Sequence, residues 1–594
     1  LELTLNKQWD LDSIYPGGKH SEKLKKQITQ LNHEIPVLIE ELQSPLTPQE
    51  LAQHIQDIQH VALNAFQVDE YCICLYSDHV QDEDALKLLD QSNHIKAKVQ
   101  SLKIELDGKL GELTDKEWNE LLEDKTLKSI RPFLLHKKQK LSEQLPQQIE
   151  EVINTLSVNG IRGWEDHYEQ LLHRLEVPVE WDGETQKLSI NEAIIQSMLD
   201  TNREKRKVTA KAVEEVCHQH EDQFASIFNH FAGFRLDTYQ LRGFENTQKE
   251  LYENNRIQED SLTSMLKAIE QNQELIQRFT KRKAQLMGLE QLSYYDMYAP
   301  YFTSKSKLTY ETAADIVTKQ FQSFSEEMGH IADRAFNEQW IDAESRKHKG
   351  FGAFCASMPI EKQSRVLLSF KGDYQDVVTL AHELGHAYHN SILQKEPTFS
   401  QDTGTSLAET ASTFAENLVL DAAIQLAETD EDRLSLLEMK ITNALKYLSL
   451  IPAKFDFEKQ FYEKRKTEKL SANEVKNLML ETEKRWTKNQ LEEYDPYNWI
   501  TISHFYSSED SFYNIPYTIG YLFSNGIYAL SKTKGKGFAN EYEQLLSHTG
   551  KMSLEQLGEK FLNQDLTEED FWQKSIQPIL EAIEEFEKLT EKYV

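Results

Sequence analysis

The densest chemistry in the chain lies at residues 382–386, which read His-Glu-Leu-Gly-His. On a helix, residues i and i+4 share a face one turn apart, so His382 and His386 can bring two imidazoles onto one metal ion. Glu383 stands beside them and can accept a proton from water activated there. The flanks predict a helix: Asp373 can cap it, Asp376 suits its first turn, and Val377, Leu380, Leu384 and Tyr388 form an apolar stripe. Gly385 costs such a helix roughly 1 kcal/mol relative to Ala, so a glycine between the ligands points to backbone or substrate packed closely against it.

A zinc site needs a third protein ligand and an open position for water. The extended pattern with a third histidine is absent, because position 389 is His where that pattern wants Gly and position 392 is Ile where it wants His. The ring of His389 is expected off the metal's axis, beside the ligands or facing substrate; a core or surface histidine is the plainer alternative. The better third ligand is Glu409, in a helical stretch from Ser406 to Glu416. Glu409 and Glu416 are seven apart and share a face. Glu409 completes a His₂Glu set for one Zn²⁺ per chain, and Glu416 can hold a ligand imidazole by its free N–H. A lone helical Glu is usually a solvated one, but Leu407, Ala408, Ala411, Phe414 and Ala415 leave little polar surface around this pair.

That set suits hydrolysis of a peptide carbonyl, with Glu383 as general base and then proton donor to the leaving amine. The tetrahedral oxyanion needs further donors. His504, Tyr506, Tyr513, Tyr517 and Tyr521 offer them, against the plainer reading of an aromatic core with tyrosine tips in water.

Elements must hold these groups. Proline and glycine are scarce (14 and 22 in 594 residues), and Ser21–Ile35, Asp84–Leu106, Ala210–Gly233 and Asp260–Met287 carry helical periodicity, so the fold class is mainly α. Ser189-Ile190-Asn191-Glu192 is a capping box that should open a helix. One region breaks the pattern: 350–357 and 364–370 are short, rich in β-branched or aromatic residues, and separated by turn residues. This predicts a small β-ribbon just before the catalytic helix. It serves either as a plain hairpin or as an edge on which Gly352, Ala353 and Phe354 could pair with an extended peptide. At 594 residues the chain exceeds one core. The expected segments are an N-terminal helical lobe over 1–110, a second helical segment over 111–204, and a catalytic part over 205–594.

A net charge of −32 repels nucleic acid and anionic lipid, and no apolar run is long enough to span a membrane. Four cysteines, with Cys72 and Cys74 too close to pair without strain, make no disulfide framework. The opening Leu1-Glu2-Leu3-Thr4-Leu5 lacks a signal-peptide layout. Together these predict a cytoplasmic protein whose partners are neither nucleic acid nor membrane. Cys217-His218-Gln219-His220 lacks further ligands nearby and is not read as a metal site.

The chain resembles the thimet oligopeptidase-like family of zinc peptidases, most closely its bacterial branch, the oligoendopeptidases F. The resemblance rests on His382 through His389, on Glu409-Thr410-Ala411-Ser412 with Glu416, and on the opening Trp9-Asp10-Leu11-Asp12-Ser13-Ile14-Tyr15. Gly350 to Cys355 and the tail from His504 through Tyr513, Tyr517, Gly520 and Tyr521 extend it over nearly the whole length. It implies a largely helical, two-lobed zincin-type molecule with a deep channel that admits oligopeptides. It implies ligands His382, His386 and Glu409, base Glu383, and oxyanion and substrate groups in the tail. Two other readings compete: a zinc aminopeptidase, and a helical peptide-binding protein with a decayed site.

Overall fold

The computed structural model describes residues 5–303 and 306–594, so the opening Leu1 to Thr4 lies outside the described residues. In chain order, the elements that matter here begin with helices α1 (Glu22–Leu42), α2 (Pro48–Asp78) and α3 (Glu83–Gly111). A hairpin of β1 (Glu176–Trp181) and β2 (Glu184–Ser189) leads into α4 (Ile190–Leu199), α5 (Arg203–Arg242) and α6 (Glu259–Leu286). Strands β3 (Ile341–Asp342), β4 (Phe354–Met358) and β5 (Gln363–Leu367) precede α7 (Tyr374–Leu393), α8 (Gly404–Ala408) and α9 (Thr410–Leu426). Then come α10 (Ile451–Arg465), α11 (Ile515–Lys534), α12 (Phe538–Ser547) and α13 (Glu569–Thr590). The mainly α architecture with a β-ribbon directly ahead of the His-Glu-Leu-Gly-His helix is as the sequence predicts.

Two compact units form, each from three stretches: Leu1–Gln144, Ser306–Ala422 and Leu530–Asn563 in the first, Leu145–Lys305, Ala423–Ala529 and Gln564–Val594 in the second. The expected segment 1–110 lies wholly within the first unit, whereas 111–204 and 205–594 each take in stretches of both. A helical chain carries no compositional mark where it passes from one core to another, so linear reading could not find these crossings.

In the first unit, α2 opens with Pro48 behind a capping box of Thr47 and Glu50, which satisfies donors that a helix start leaves unpaired. Its apolar side, with Ile55, Ile58 and Val68, packs with Leu24, Leu31 and Ile35 of α1 and Leu102 and Leu106 of α3. The same core takes in Met358 of β4 and Leu367 of β5, which ties the small sheet to the helices. The sheet order is β3-β5-β4, with β4 and β5 antiparallel and β3 parallel to β5. Strand β4 is thus an edge.

In the second unit, α5 runs 40 residues from an Asn202 cap to Gly243, whose φ of 71° gives the left-handed turn that ends it. Phe228 of α5 stacks on Phe461 of α10 at 4.0 Å. The 111–204 stretch is not purely helical. β1 and β2 form a hairpin through Asp182 and Gly183, both at positive φ (52° and 80°). Asp-Gly between strands is the signal that sequence reading passed over. The capping box at Ser189 does open α4.

Among the described residues no helix is long and apolar enough to cross a membrane. All four cysteines are free thiols.

Candidate metal centre

Helix α7 starts at an Asp373 cap in a capping box with Asp376, as its sequence predicts. Val377, Leu380, Leu384 and Tyr388 are all buried, which fixes the rotation of the helix and leaves His382 and His386 on its open side. Gly385 explains how the next helix approaches. A Cβ built there would lie 2.7 Å from the Ala411 carbonyl oxygen, 2.7 Å from Ser412 Cα and 2.9 Å from Ala415 Cβ. Only glycine lets the backbone of α9 come this close, and that approach delivers both acids.

Glu409 sits at the break between α8 and α9, not inside one continuous helix. Its carbonyl accepts from the Thr413 N–H at 3.0 Å, so it acts as the residue that starts α9. Its Oε2 lies 3.3 Å from His382 Nε2 and 3.4 Å from His386 Nε2, and the two Nε2 atoms are 3.2 Å apart. These three donors form a nearly equilateral triangle. Ligands on a tetrahedral zinc at about 2.0–2.1 Å are separated by about 3.3–3.4 Å, so the donor set fits that ion in chemistry and in size.

The surrounding groups orient the set. Glu416 Oε1 lies 2.5 Å from His382 Nδ1, so Nδ1–H donates to the carboxylate and Nε2 is turned toward the triangle. Ser412 Oγ donates to Glu409 Oε2 at 2.7 Å. Burial would push the His382 imidazole down, but Glu416, helped by Glu383 and Glu409, lifts it to about 9. Burial would raise Glu409, but the hydrogen bond and charge of His386, with His382 and Ser412, hold it at about 2. Glu383 is buried, and burial pushes its carboxyl above the ordinary range against the pull of both histidines.

His389 is buried, with Nε2 3.0 Å from Thr549 Oγ1, just past the end of α12, and burial pushes its imidazole down to about 4. Its recorded bond is thus to a packing partner within the first unit. In the ribbon, Gly352 has φ +89° and Ala353 is exposed. Val366 and Leu368 turn their N–H groups to Trp340 O and Asp342 O, away from β4. By alternation, Ala353 and Cys355 direct their own backbone groups outward, while Phe354 pairs with Leu367 and packs its ring on Trp9 at 6.3 Å. The edge positions are therefore 353 and 355; of the predicted trio, Phe354 does not present its backbone there.

The tail residues belong to the second unit. His504 Nδ1 is 3.1 Å from Asn514 Oδ1, and its ring lies 4.7 Å from Tyr513 and 5.7 Å from Tyr517. Tyr521, one turn further along α11, stacks on Tyr447 at 4.2 Å. Burial holds His504 below its ordinary value, with Lys454 and Lys446 acting in the same direction. Tyr506 is core: it stacks on Tyr168 at 3.6 Å and its hydroxyl donates to Trp499 O at 3.0 Å.

The sequence pattern of Peptidase family M3 matches residues 196–578, well over half the chain, and that of Oligopeptidase F matches 109–176. The chain belongs to peptidase family M3. An oligoendopeptidase F homolog of Lactococcus lactis subsp. lactis is 24% identical over 328 residues, 54% of each chain. A chromosomal oligoendopeptidase F of L. lactis subsp. cremoris is 22% identical over 69% of this M3 chain and 68% of its own. The match thus spans about half the length of the first relative and about two thirds of the second. In fold, the M3 chain superposes on a candidate peptidase from Chlamydophila abortus with TM-score 0.87, at 19% identity and 99% coverage of both chains. It superposes on oligoendopeptidase-F from Enterococcus faecium with TM-score 0.71, at 17% identity, covering 96% of this chain and 99% of that one. The resemblance to the oligoendopeptidase F branch read from the sequence holds.

Proposed function

We propose that this M3 chain is a zinc-dependent endopeptidase that hydrolyses internal bonds of oligopeptides. The observation that carries the reading is the triangle of His382 Nε2, His386 Nε2 and Glu409 Oε2, with sides of 3.2, 3.3 and 3.4 Å. Zinc held there supplies an acidified water and polarises the scissile carbonyl. His382 and His386 turn their Nε2 atoms toward the triangle, and Glu416, accepting from His382 Nδ1–H, directs that ring's Nε2 to the metal once its proton has left. Glu383 takes a proton from the attacking water; its buried carboxyl, raised above the ordinary range, is a stronger base for that step than an exposed one. The same carboxyl then passes the proton to the leaving amine. Outward backbone groups of Ala353 and Cys355 pair with the peptide main chain, which gives affinity without demanding particular side chains. His504, Tyr513, Tyr517 and Tyr521 are assigned to the oxyanion and to substrate by the family resemblance.

The test is Glu383→Gln with metal content and turnover measured together. The variant is expected to keep about one zinc per chain and to lose about 10²–10⁴-fold in kcat. A chelator is expected to abolish wild-type activity, and added zinc to restore it. Near-normal turnover in Glu383→Gln, or activity indifferent to chelation, overturns the reading.

A further inference from the structure

The edge of β4 is not open along its whole length. Helix α2 closes its far end with two side chains one turn apart. Glu70 Oε2 accepts the Ser357 N–H at 2.9 Å, and Gln67 Oε1 accepts the Ile360 N–H at 2.8 Å. The Glu70 carboxylate occupies the place that a carbonyl of a paired strand would take. Pairing is therefore available at 353 and 355 and stops at 357. No described residue bonds the second oxygen of Glu70, and Lys96, the nearby cation, is spent on Asp69 at 2.8 Å. Burial pushes Glu70 up to about 7, the state of a carboxyl short of a cation. A cleft of ≈ 410 Å³ lies alongside, lined by Ser357, whose N–H Glu70 accepts, and by Asp69, the residue before Glu70, with Lys96, Asn390 and Gln394. It leaves space beside the end of β4 for a chain terminus.

We propose that Glu70 is the anchor for the free α-ammonium of the substrate, and so fixes how many residues precede the scissile bond. This rests on the peptidase reading above and adds a direction to it. An acid at the end of β4 repels a terminal carboxylate and attracts an ammonium, so the peptide enters with its N-terminus at Glu70 and runs antiparallel to β4. That is also the more stable way to pair. The carboxylate forms a charge-assisted hydrogen bond to the ammonium while it keeps the Ser357 N–H.

The experiment compares one peptide with a free N-terminus, its N-acetylated form, and a form extended by one N-terminal residue, each cleaved by the zinc-loaded wild-type protein and by Glu70→Gln. The carboxamide can still accept from Ser357, so the substitution removes charge and little else. For the wild type, N-acetylation is expected to lower kcat/KM about tenfold, mostly through KM, and the extra residue is expected to shift the cleaved bond by one position, keeping its distance from the terminus. Glu70→Gln is expected to bring the free peptide down to the level of the acetylated one and to lose the shift. Equal cleavage of free and acetylated peptides by the wild type at one bond overturns the anchor, as does a Glu70→Gln protein that keeps the discrimination. The acetylation and extension arms need no variant, so a misfolded Glu70→Gln leaves them decisive. If the wild type cleaves none of the three, the peptidase reading itself falls, and the anchor with it.

Discussion

The two clusters of candidate functional side chains are held in different ways. Around His382, charge and backbone packing fix every group. His382, His386, Glu409, Glu416 and Ser412 are linked by contacts of 2.5–3.4 Å, and Gly385 lets the two helices touch through their backbones. Around His504, rings meet at 4.7–5.7 Å, and His504 Nδ1 lies 3.1 Å from Asn514 Oδ1. The first arrangement specifies one geometry and therefore one chemistry. The second is seen chiefly as ring packing, and the same rings would serve equally well as core. A metal centre can thus be read from contacts alone, while an oxyanion donor shows itself only when the transition state forms.

The sharpest way to break this contrast is at the tyrosines. Among Tyr513→Phe, Tyr517→Phe and Tyr521→Phe, one is expected to lower kcat by about 10²–10³-fold with zinc content and KM little changed, the mark of a donor engaged only in the transition state. Steady-state kinetics with metal analysis decides it. If all three keep wild-type kcat, the aromatic group is packing and its catalytic assignment is withdrawn.

The packed cluster is expected to fail at Gly385. A methyl group 2.7 Å from backbone atoms of Ala411 and Ser412 cannot be absorbed by rotating a side chain, so the helices must separate. Gly385→Ala is expected to cost about 1–3 kcal/mol of stability despite the better helix propensity of Ala. Moving Glu409 by a few tenths of an ångström or more should also cost up to about 100-fold in turnover. Thermal melts of the metal-free protein read the first effect and kinetics the second. A variant as stable and as active as the wild type would show that the close approach does not position the acids.

What the sequence reveals follows the range of the interactions. The Asp373 cap, the stripe from Val377 to Tyr388 and the pair at 382 and 386 are local, and local chemistry writes them into spacing. Glu409 is legible despite the break after α8, because an acid among Leu407, Ala411 and Phe414 needs a reason to be there. Gly385 announces close packing but not the partner. Glu70 is illegible: it meets Ser357 across 287 positions, and a glutamate on a helix reads as solvated. The interleaved units are illegible for the same reason, since they are defined wholly by distant contacts. The hairpin at Asp182-Gly183 is local, and its Asp-Gly turn is legible in the sequence.

The finest test of the charged cluster is Glu416→Gln, because there two effects of one carboxylate oppose each other. Glu416 contacts His382 Nδ1 at 2.5 Å and on the proposed reading would orient that ring for the metal; loss of such a partner typically weakens metal binding about 10–100-fold. The same carboxylate also holds a proton on metal-free His382, lifting it to about 9, and that proton must leave before zinc can bind. At neutral pH the wild type therefore surrenders part of its intrinsic affinity to proton competition. The variant, with His382 nearer its ordinary value of about 6.5, surrenders little. The ratio of wild-type to variant zinc affinity is expected to be small near pH 7 and to grow as pH rises toward about 9, where the His382 proton is lost from both and only the orienting contact remains. Competition titrations against a metal-buffering chelator across that range read it directly. A ratio that stays flat or falls with pH would mean that Glu416 does not control the His382 proton, and that the cluster is held by packing at Gly385 alone.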